Sequence, residues 1–409
     1  MTSIVPFDFI KSANARRKTN GLFRQRTAIV ESSNCVIKIG DSYFINFSSN
    51  DYLGLSQHQD VLQAYVEGLS LYGASSSSSP VVCGYSHAHK ALEVRLSELV
   101  NQPSVVLFSS GFAANQAICQ ALCIPEPSAD TDVGIVADKL MHASFVESAS
   151  TMTRCFKRFG HNDMFHADKQ LSALHNENKL LVSEGVFSMD GDTAPVKELL
   201  KLKQKHDAYL MLDEAHSFGV VGEQGLGFSG SFAYALEGIE DKGEQQIDIT
   251  MGTFGKAIGT QGAFVAGSEA LIDYLVNFGR HYIYSTAPAP AIARATSTAL
   301  DIMLKGHERR RLHENIEQFR ALAVTKGIVL MPSVSAIQPI VVGCADKVMR
   351  AKEKLMSLGI LVSAIRSPTV PKGTDRLRIT LSALHSDKDI DALIDVLVIV
   401  RDSLGGFDA

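Results

Sequence analysis

The chain lacks any block of basic residues. Its 39 Lys and Arg stand against 44 Asp and Glu, a formal net charge of −5. A general nucleic-acid binder needs a basic face, so that class is excluded. No apolar run approaches the roughly 18 residues of a membrane span, so no membrane partner is expected. The first residues carry Asp8, Lys11, Arg16, Arg17 and Lys18 without an apolar stretch. No secretory leader is expected there, and the setting expected is cytoplasmic. Cysteine is sparse: six in 409 residues, at Cys35, Cys83, Cys119, Cys123, Cys155 and Cys344. A chain of this size needs no staples, so these read as free thiols in a reducing compartment. Cys119 and Cys123 sit four apart, but no second pair completes a zinc set, and a polar helix start explains His87 and His89 equally well. No metal is expected. A Gly-x-Ser-x-Gly at a strand end is missing, as is a Gly-x-Gly-x-x-Gly after the first strand, which removes serine-hydrolase and dinucleotide readings.

What is present describes a large folded chain. Hydrophobic residues make up 45% and charged residues 20%, which fits a sizeable core and two or three domains. Near-continuous apolar runs at 104–108 (SVVLF), 133–137 (VGIVA), 179–183 (KLLVS), 209–213 (YLMLD), 247–251 (IDITM) and 262–266 (GAFVA) read as strands buried on both faces. Helix-length segments such as 111–122 and 194–206 separate most of them. The pattern predicts an α/β fold with a doubly wound, mostly parallel sheet. A helix and a small hairpin (35–47) precede it. From about residue 301 charged helical stretches (307–326, 347–358) alternate with short strands (336–342, 361–365, 376–380), a smaller α+β C-terminal domain. The expected division is an N-terminal arm (1–50), a large domain (51–300) and the C-terminal domain (301–409). Residues 238–246 read as an exposed loop.

Ligands on such sheets bind beyond the carboxyl ends of the strands, so chemistry is sought there. Lys256 follows one strand in a glycine-rich, apolar setting. A P-loop is excluded because Thr250 and Ala257 stand where that motif needs Gly and Ser/Thr. A surface lysine and an imine-forming lysine remain. Asp213 and His216 (DEAH, 213–216) end the YLMLD run. An aspartate there either pairs with a pyridine nitrogen or caps the next helix. Ser109–Ala113 opens a helix with Ser and Gly, which suits a phosphate. His142 follows VGIVA and either stacks on a ring or caps a helix. Each signal is weak alone. Together they supply what pyridoxal phosphate needs: a ring stacker, a carboxylate, a phosphate cradle and an imine partner.

These segments resemble the α-oxoamine synthases, a group of fold-type I pyridoxal-phosphate transferases. The likeness is carried by NFSSNDYLG (46–54), SGFAANQ (110–116), HAS (142–144), EGVFSMDGD (184–192), DEAH (213–216), TFGK (253–256) and RHYIYST (280–286). Later stretches, SAIQP (335–339), AIRSPTVP (364–371) and RLR (376–378), favour the branch that serves biotin synthesis. The resemblance implies roles residue by residue. Lys256 would be the Schiff-base lysine and proton shuttle. Asp213 would meet the pyridine nitrogen, His216 the phenolic oxygen, and His142 one ring face. Gly111, Phe112, Ser188 and Thr253 would bind the cofactor. Ser285 and Thr286 would reach the partner subunit's cofactor phosphate in a homodimer with shared active sites. Asn50 and Thr369 would line the substrate side, and Arg378 would clamp the amino-acid carboxylate in a bidentate pair.

The implied reaction is a decarboxylative condensation of L-alanine with a pimeloyl thioester, carried on coenzyme A or a carrier protein. The alternative is a sister activity: 2-amino-3-ketobutyrate ligase, serine palmitoyltransferase or an autoinducer synthase. This chain departs from the family at four places. The tract Ser75–Ser79, followed by Pro80, stands where the family writes Gly-Ser-Gly-Gly-Ser, near its acyl channel. Phe23 stands where an Arg is usual. Glu214 and Ser217 replace Asp and Gly of Asp-Asp-Ala-His-Gly. Residues 230–246 form a longer insertion.

Overall fold

The computed structural model describes residues 7–124, 133–153, 155–235 and 246–407. Its centre is a seven-stranded sheet, in the order 104–108, 263–267, 249–253, 209–213, 178–184, 133–138, 156–159. Only 263–267 runs antiparallel to its neighbours. The side-chain period of two divides each strand between two cores. Val106, Phe108, Ile135, Ala137, Leu180, Val182 and Met211 pack with the helices Gly111–Cys123, Ala143–Met152 and Glu269–Phe278. Val136, Leu181, Leu210 and Leu212 pack on the other side with Met164–Ser172 and Val196–Lys205. Both faces are covered, which is why these strands read as unbroken apolar runs. The doubly wound, mostly parallel expectation holds.

Two elements differ from expectation. The strand expected at 247–251 lies at Ile249–Thr253. Side chains take part in holding Ile247 and Asp248: Gln102 Nε2 donates to the Ile247 carbonyl at 2.7 Å, and the Asp248 carboxylate accepts the Leu210 N–H at 2.7 Å while its own N–H bonds the Leu210 carbonyl at 3.0 Å. The strand Phe156–Phe159 went unrecognised because it is a sheet edge, and Lys157 and Arg158 interrupt its apolar pattern.

The C-terminal segment builds a three-stranded antiparallel sheet from Ile337–Gly343, Asp375–Thr380 and Ser363–Ile365. The helices His307–Thr325, Ala345–Ser357 and Asp387–Ser403 accompany it. The N-terminal hairpin, Val36–Ile39 and Ser42–Asn46, takes Ile360–Leu361 as a parallel neighbour. The following stretch is threaded into the C-terminal layer. The Phe47 carbonyl accepts Thr380 N–H at 2.8 Å and the Tyr52 carbonyl accepts Ala383 N–H at 2.8 Å. That threading brings Asn50 beside Arg378. The helix Asp8–Thr19 buries none of its residues. The insertion expected at 230–246 and the loop at 238–246 lie largely outside the described residues. All six cysteines stand outside any disulfide, and His89 closes a capping box with Ser86, as a helix-start role requires.

Candidate active site

The strands 133–138, 178–184, 209–213 and 249–253 are parallel neighbours, so their carboxyl ends open on one cleft. Asp213 ends its strand and is 3% exposed. Its Oδ1 accepts the Ala215 N–H at 3.0 Å and its Oδ2 accepts Asn115 Nδ2 at 3.1 Å. The capping and ligand-facing readings are therefore compatible: the turn holds the carboxylate in place. Asn115 also donates to Ser144 Oγ at 3.0 Å, and Ser144 Oγ lies 2.8 Å from His142 Nδ1. One chain of bonds thus links the carboxylate to the histidine. His142 caps Ala143–Met152 through the Ser144 N–H, and its ring remains open to the cleft.

His216 is buried, and its Nδ1 lies 2.6 Å from the Tyr52 hydroxyl. Burial holds its pKa well below the usual imidazole value, with the Lys256, Arg378 and His142 charges adding to that, so the ring is neutral. Burial of the Tyr52 phenol pushes its pKa up to about 12, so it stays a donor. Lys256 sits in a tight loop: its carbonyl accepts Gly259 N–H at 2.9 Å, and Phe254 N–H reaches Gly262 O at 2.9 Å. At Gly259, φ is +69°, and a Cβ would lie 2.3 Å from the Ser56 nitrogen, so only glycine lets this loop dock. Burial lowers the Lys256 amine to about 8, with Asp213 opposing.

Ser110 caps Gly111–Cys123, its Oγ taking the Ala113 N–H at 3.1 Å and its carbonyl the Ala114 N–H at 3.0 Å. As first-turn groups, the N–H donors of Gly111 and Phe112 are not taken up by the helix's own ladder. Thr253 closes this corner: a Cβ on Gly111 would meet its methyl at 2.7 Å. Arg378 is 5% exposed. Its Nε donates to Ser188 O at 2.7 Å, and its Nη1 to Asn50 Oδ1 at 3.3 Å and Thr380 Oγ1 at 3.1 Å. Its Nη2 is buried without a partner among the described residues. The expected bidentate clamp thus has one free arm, the other being engaged within the protein. Thr369 lines a cavity of about 630 Å³ with His142, Phe187, Ser188, Met189 and Arg376. Ser285 and Thr286 are not brought to this cleft. They lie by the serine tract, where Ala287 N–H bonds Ser78 O at 3.0 Å. That tract does reach a left-handed conformation without glycine: Ser77 has φ +58°, supported by Ser75 Oγ at 3.0 Å.

The residues fit pyridoxal phosphate. Buried orphan atoms lie on these residues: Arg378 Nη2, Glu184 Oε1 and Asn115 Oδ1 lack partners among the described residues. The donor set offers an amine, an anion, a neutral histidine and a helix N-terminus. Nearby, His161, Asp190 and Asp192 bring their ligand atoms within 4.8 Å of one another. His161 places one ring nitrogen 3.1 Å from Asp138 and the other 2.7 Å from Asp192. Despite burial, these carboxylates raise it to about 10, so both nitrogens are donors. The sequence reading names neither Asn115 and Ser144, which steady Asp213 and His142, nor Tyr52, which backs His216. All three lie inside the motifs at 46–54, 110–116 and 142–144, and that membership is the signal the sequence offers.

The profile described as aminotransferase class I and II matches residues 42–397. The chain belongs to the aminotransferase class I and II family. An 8-amino-7-oxononanoate synthase of Aeromonas salmonicida is 43% identical, covering 94% of this chain and 93% of that one. One from Chromohalobacter salexigens is 42% identical, covering 95% of each. Within the family, then, the chain groups with the 8-amino-7-oxononanoate synthases. Among solved structures, serine palmitoyltransferase of Sphingomonas wittichii superposes with a TM-score of 0.86 at 27% identity over the whole of both chains. The S. paucimobilis enzyme, with a bound PLP–myriocin aldimine, gives 0.86 at 28% over 98% of each. The Francisella tularensis 8-amino-7-oxononanoate synthase gives 0.72 at 30%, over 88% of this chain and 98% of that one.

Proposed function

We propose that this protein binds pyridoxal 5'-phosphate and condenses L-alanine with a pimeloyl thioester. The products are 8-amino-7-oxononanoate, CO₂ and a free thiol. The carrying observation is the convergence of a deprotonable lysine, a buried carboxylate and an arginine with one free nitrogen on a single cleft. When bound, the cofactor supplies an electron sink for negative charge at the alanine Cα. Lys256 anchors it and moves the proton at that Cα. Its depressed pKa leaves the free amine accessible near neutral pH. Asp213 holds the ring nitrogen's proton, and its tie to Asn115 keeps it oriented. His216 meets the phenolic oxygen, Tyr52 supporting it from behind. His142 covers one ring face. The N–H groups of Gly111 and Phe112, with Thr253, hold the phosphate, and Ser188 contributes to the cofactor site beside Arg378.

Arg378 Nη2, with Asn50 alongside, holds the alanine carboxylate, deciding which Cα bond stands across the ring. The 630 Å³ cavity then takes the acyl donor. Leu140, Val146, Met189 and Val370 give it an apolar wall for the chain, while Lys139 and Arg158 give its mouth a positive edge for a phosphopantetheine phosphate. A two-fold dimer is supported by an exposed apolar surface. Val82 is 76% and Tyr284 72% exposed, and Phe112 is half-exposed, all near Ser285 and Thr286. Those two residues would serve the partner's cofactor phosphate. The setting proposed is cytoplasmic, and no helix among the described residues is long and apolar enough to cross a membrane.

Borohydride treatment of the loaded protein should fix a phosphopyridoxyl group on Lys256 and on no other lysine, as read by peptide mass. Alanine with a panel of acetyl, pimeloyl and long-chain thioesters should then yield the aminoketone mass from the pimeloyl donor. A preferred acetyl or long-chain product would move the protein to a sister activity. Labelling elsewhere would defeat the assignment of Lys256.

A further inference from the structure

One carboxylate in the cleft is unused by this reading. Glu184 ends its strand in register with Asp213 on the neighbouring strand, and it is 2% exposed. Its Oε2 accepts the Ser188 N–H at 3.2 Å, and the backbone N–H of His142 faces the same carboxyl. Its Oε1 is buried without a partner among the described residues. Ser188 in turn gives its carbonyl to Arg378 Nε at 2.7 Å. Glu184 is thus the knot between the turn that carries His142 and the residue that steadies Arg378.

The charge state follows from the neighbours. Asp213 faces Glu184 from the adjacent strand, Lys256 from the loop after Ile249–Thr253, and His142 from the start of Ala143–Met152. Arg378 is one residue away through Ser188. Two buried carboxylates side by side do not both ionise. Asp213 has two donors on its oxygens, Ala215 N–H and Asn115 Nδ2, while Glu184 has one clear donor and an empty oxygen. The negative charge therefore settles on Asp213 and the proton on Glu184. Burial and the Asp213 charge both push the Glu184 carboxyl far above the ordinary range, with Lys256 opposing.

We infer that Glu184 is a positioning residue that works as an uncharged acid: it ties the His142 turn to Ser188, and through Ser188 to Arg378, and leaves Asp213 as the anion of the pair. The inference rests on the proposed function for its kinetic consequences only; the protonation itself belongs to the bare protein.

The test uses Glu184→Gln and Glu184→Ala beside the wild type. The neutral isostere should keep kcat and the alanine KM within about threefold and leave the pH profile in place, since no charge is lost. Glu184→Ala, losing the tie, should raise the alanine KM about tenfold with a smaller change in kcat. The infrared spectrum of the cofactor-free protein should show a protonated-carboxyl band that Glu184→Gln removes. Lack of that band, or a pH profile displaced in Glu184→Gln, would mean an ionised Glu184 and overturn the inference. So would an unchanged alanine KM in Glu184→Ala. If wild type formed no imine, the functional reading would fail while the infrared band still decided the protonation of Glu184.

Discussion

At the scale of single residues, Lys256 shows how placement becomes reactivity. Burial lowers its amine from 10.5 to about 8, against the pull of Asp213. Below that value the group is an ammonium without a lone pair. Above it the neutral amine can attack an aldehyde. In cofactor-free protein, the rate of imine formation with added pyridoxal phosphate should rise through pH 8 and level off above it, followed by absorbance. A rise centred near 10 would mean that the amine is solvated. Asp213 stabilises the ammonium, so Asp213→Asn should move the midpoint down, not up. It should also slow exchange of the alanine Cα proton about 100-fold or more, the usual scale for removing one preorganised electrostatic partner.

Among the elements, the helix Gly111–Cys123 carries two duties on one cap. Ser110 secures its first turn, and under the proposed function the unused N–H groups beyond the cap would hold the cofactor phosphate. Ser110→Ala should cost about 1 kcal/mol of stability, read in denaturant. It should weaken pyridoxal phosphate more than pyridoxal, since only the former has an anion to hold; equal loss for both would separate the cap from the phosphate site. The central strands follow the same economy: their side chains feed two cores, while their last residues, Glu184, Asp213 and Thr253, turn to the cleft.

For the molecule as a whole, the C-terminal layer completes the site. Strand Asp375–Thr380 carries Arg378 to the cleft only because residues 47–53 are bonded into that layer at Thr380, Ala383 and Ser382. The exposed apolar surface around Val82, Phe112 and Tyr284 asks for a second copy. Tyr284→Asp should shift the sedimentation of the holoenzyme toward the monomer and loosen pyridoxal phosphate, because Ser285 and Thr286 leave with the partner. A variant that stayed dimeric with unchanged cofactor affinity would put the interface elsewhere.

The amino-acid sequence by itself determined most of the central strands, their burial on two faces, and most of the residues at their ends; the charged edge strand Phe156–Phe159 and the bounds of Ile249–Thr253 were left to the structure. Those properties are local: apolar runs, helix-length spacers and the last residue of a run all lie within a few positions of each other. Hence Lys256, Asp213, His216 and His142 were legible before any geometry. Only the tertiary structure decided what each of them touches. Asn115 reaches Asp213 across 98 residues, Tyr52 reaches His216 across 164, and Asn50 reaches Arg378 across 328. No period in the chain encodes such pairs, because they are chosen when distant segments pack into one interior. The same holds for the proton on Glu184, which depends on a neighbour that only the sheet places beside it.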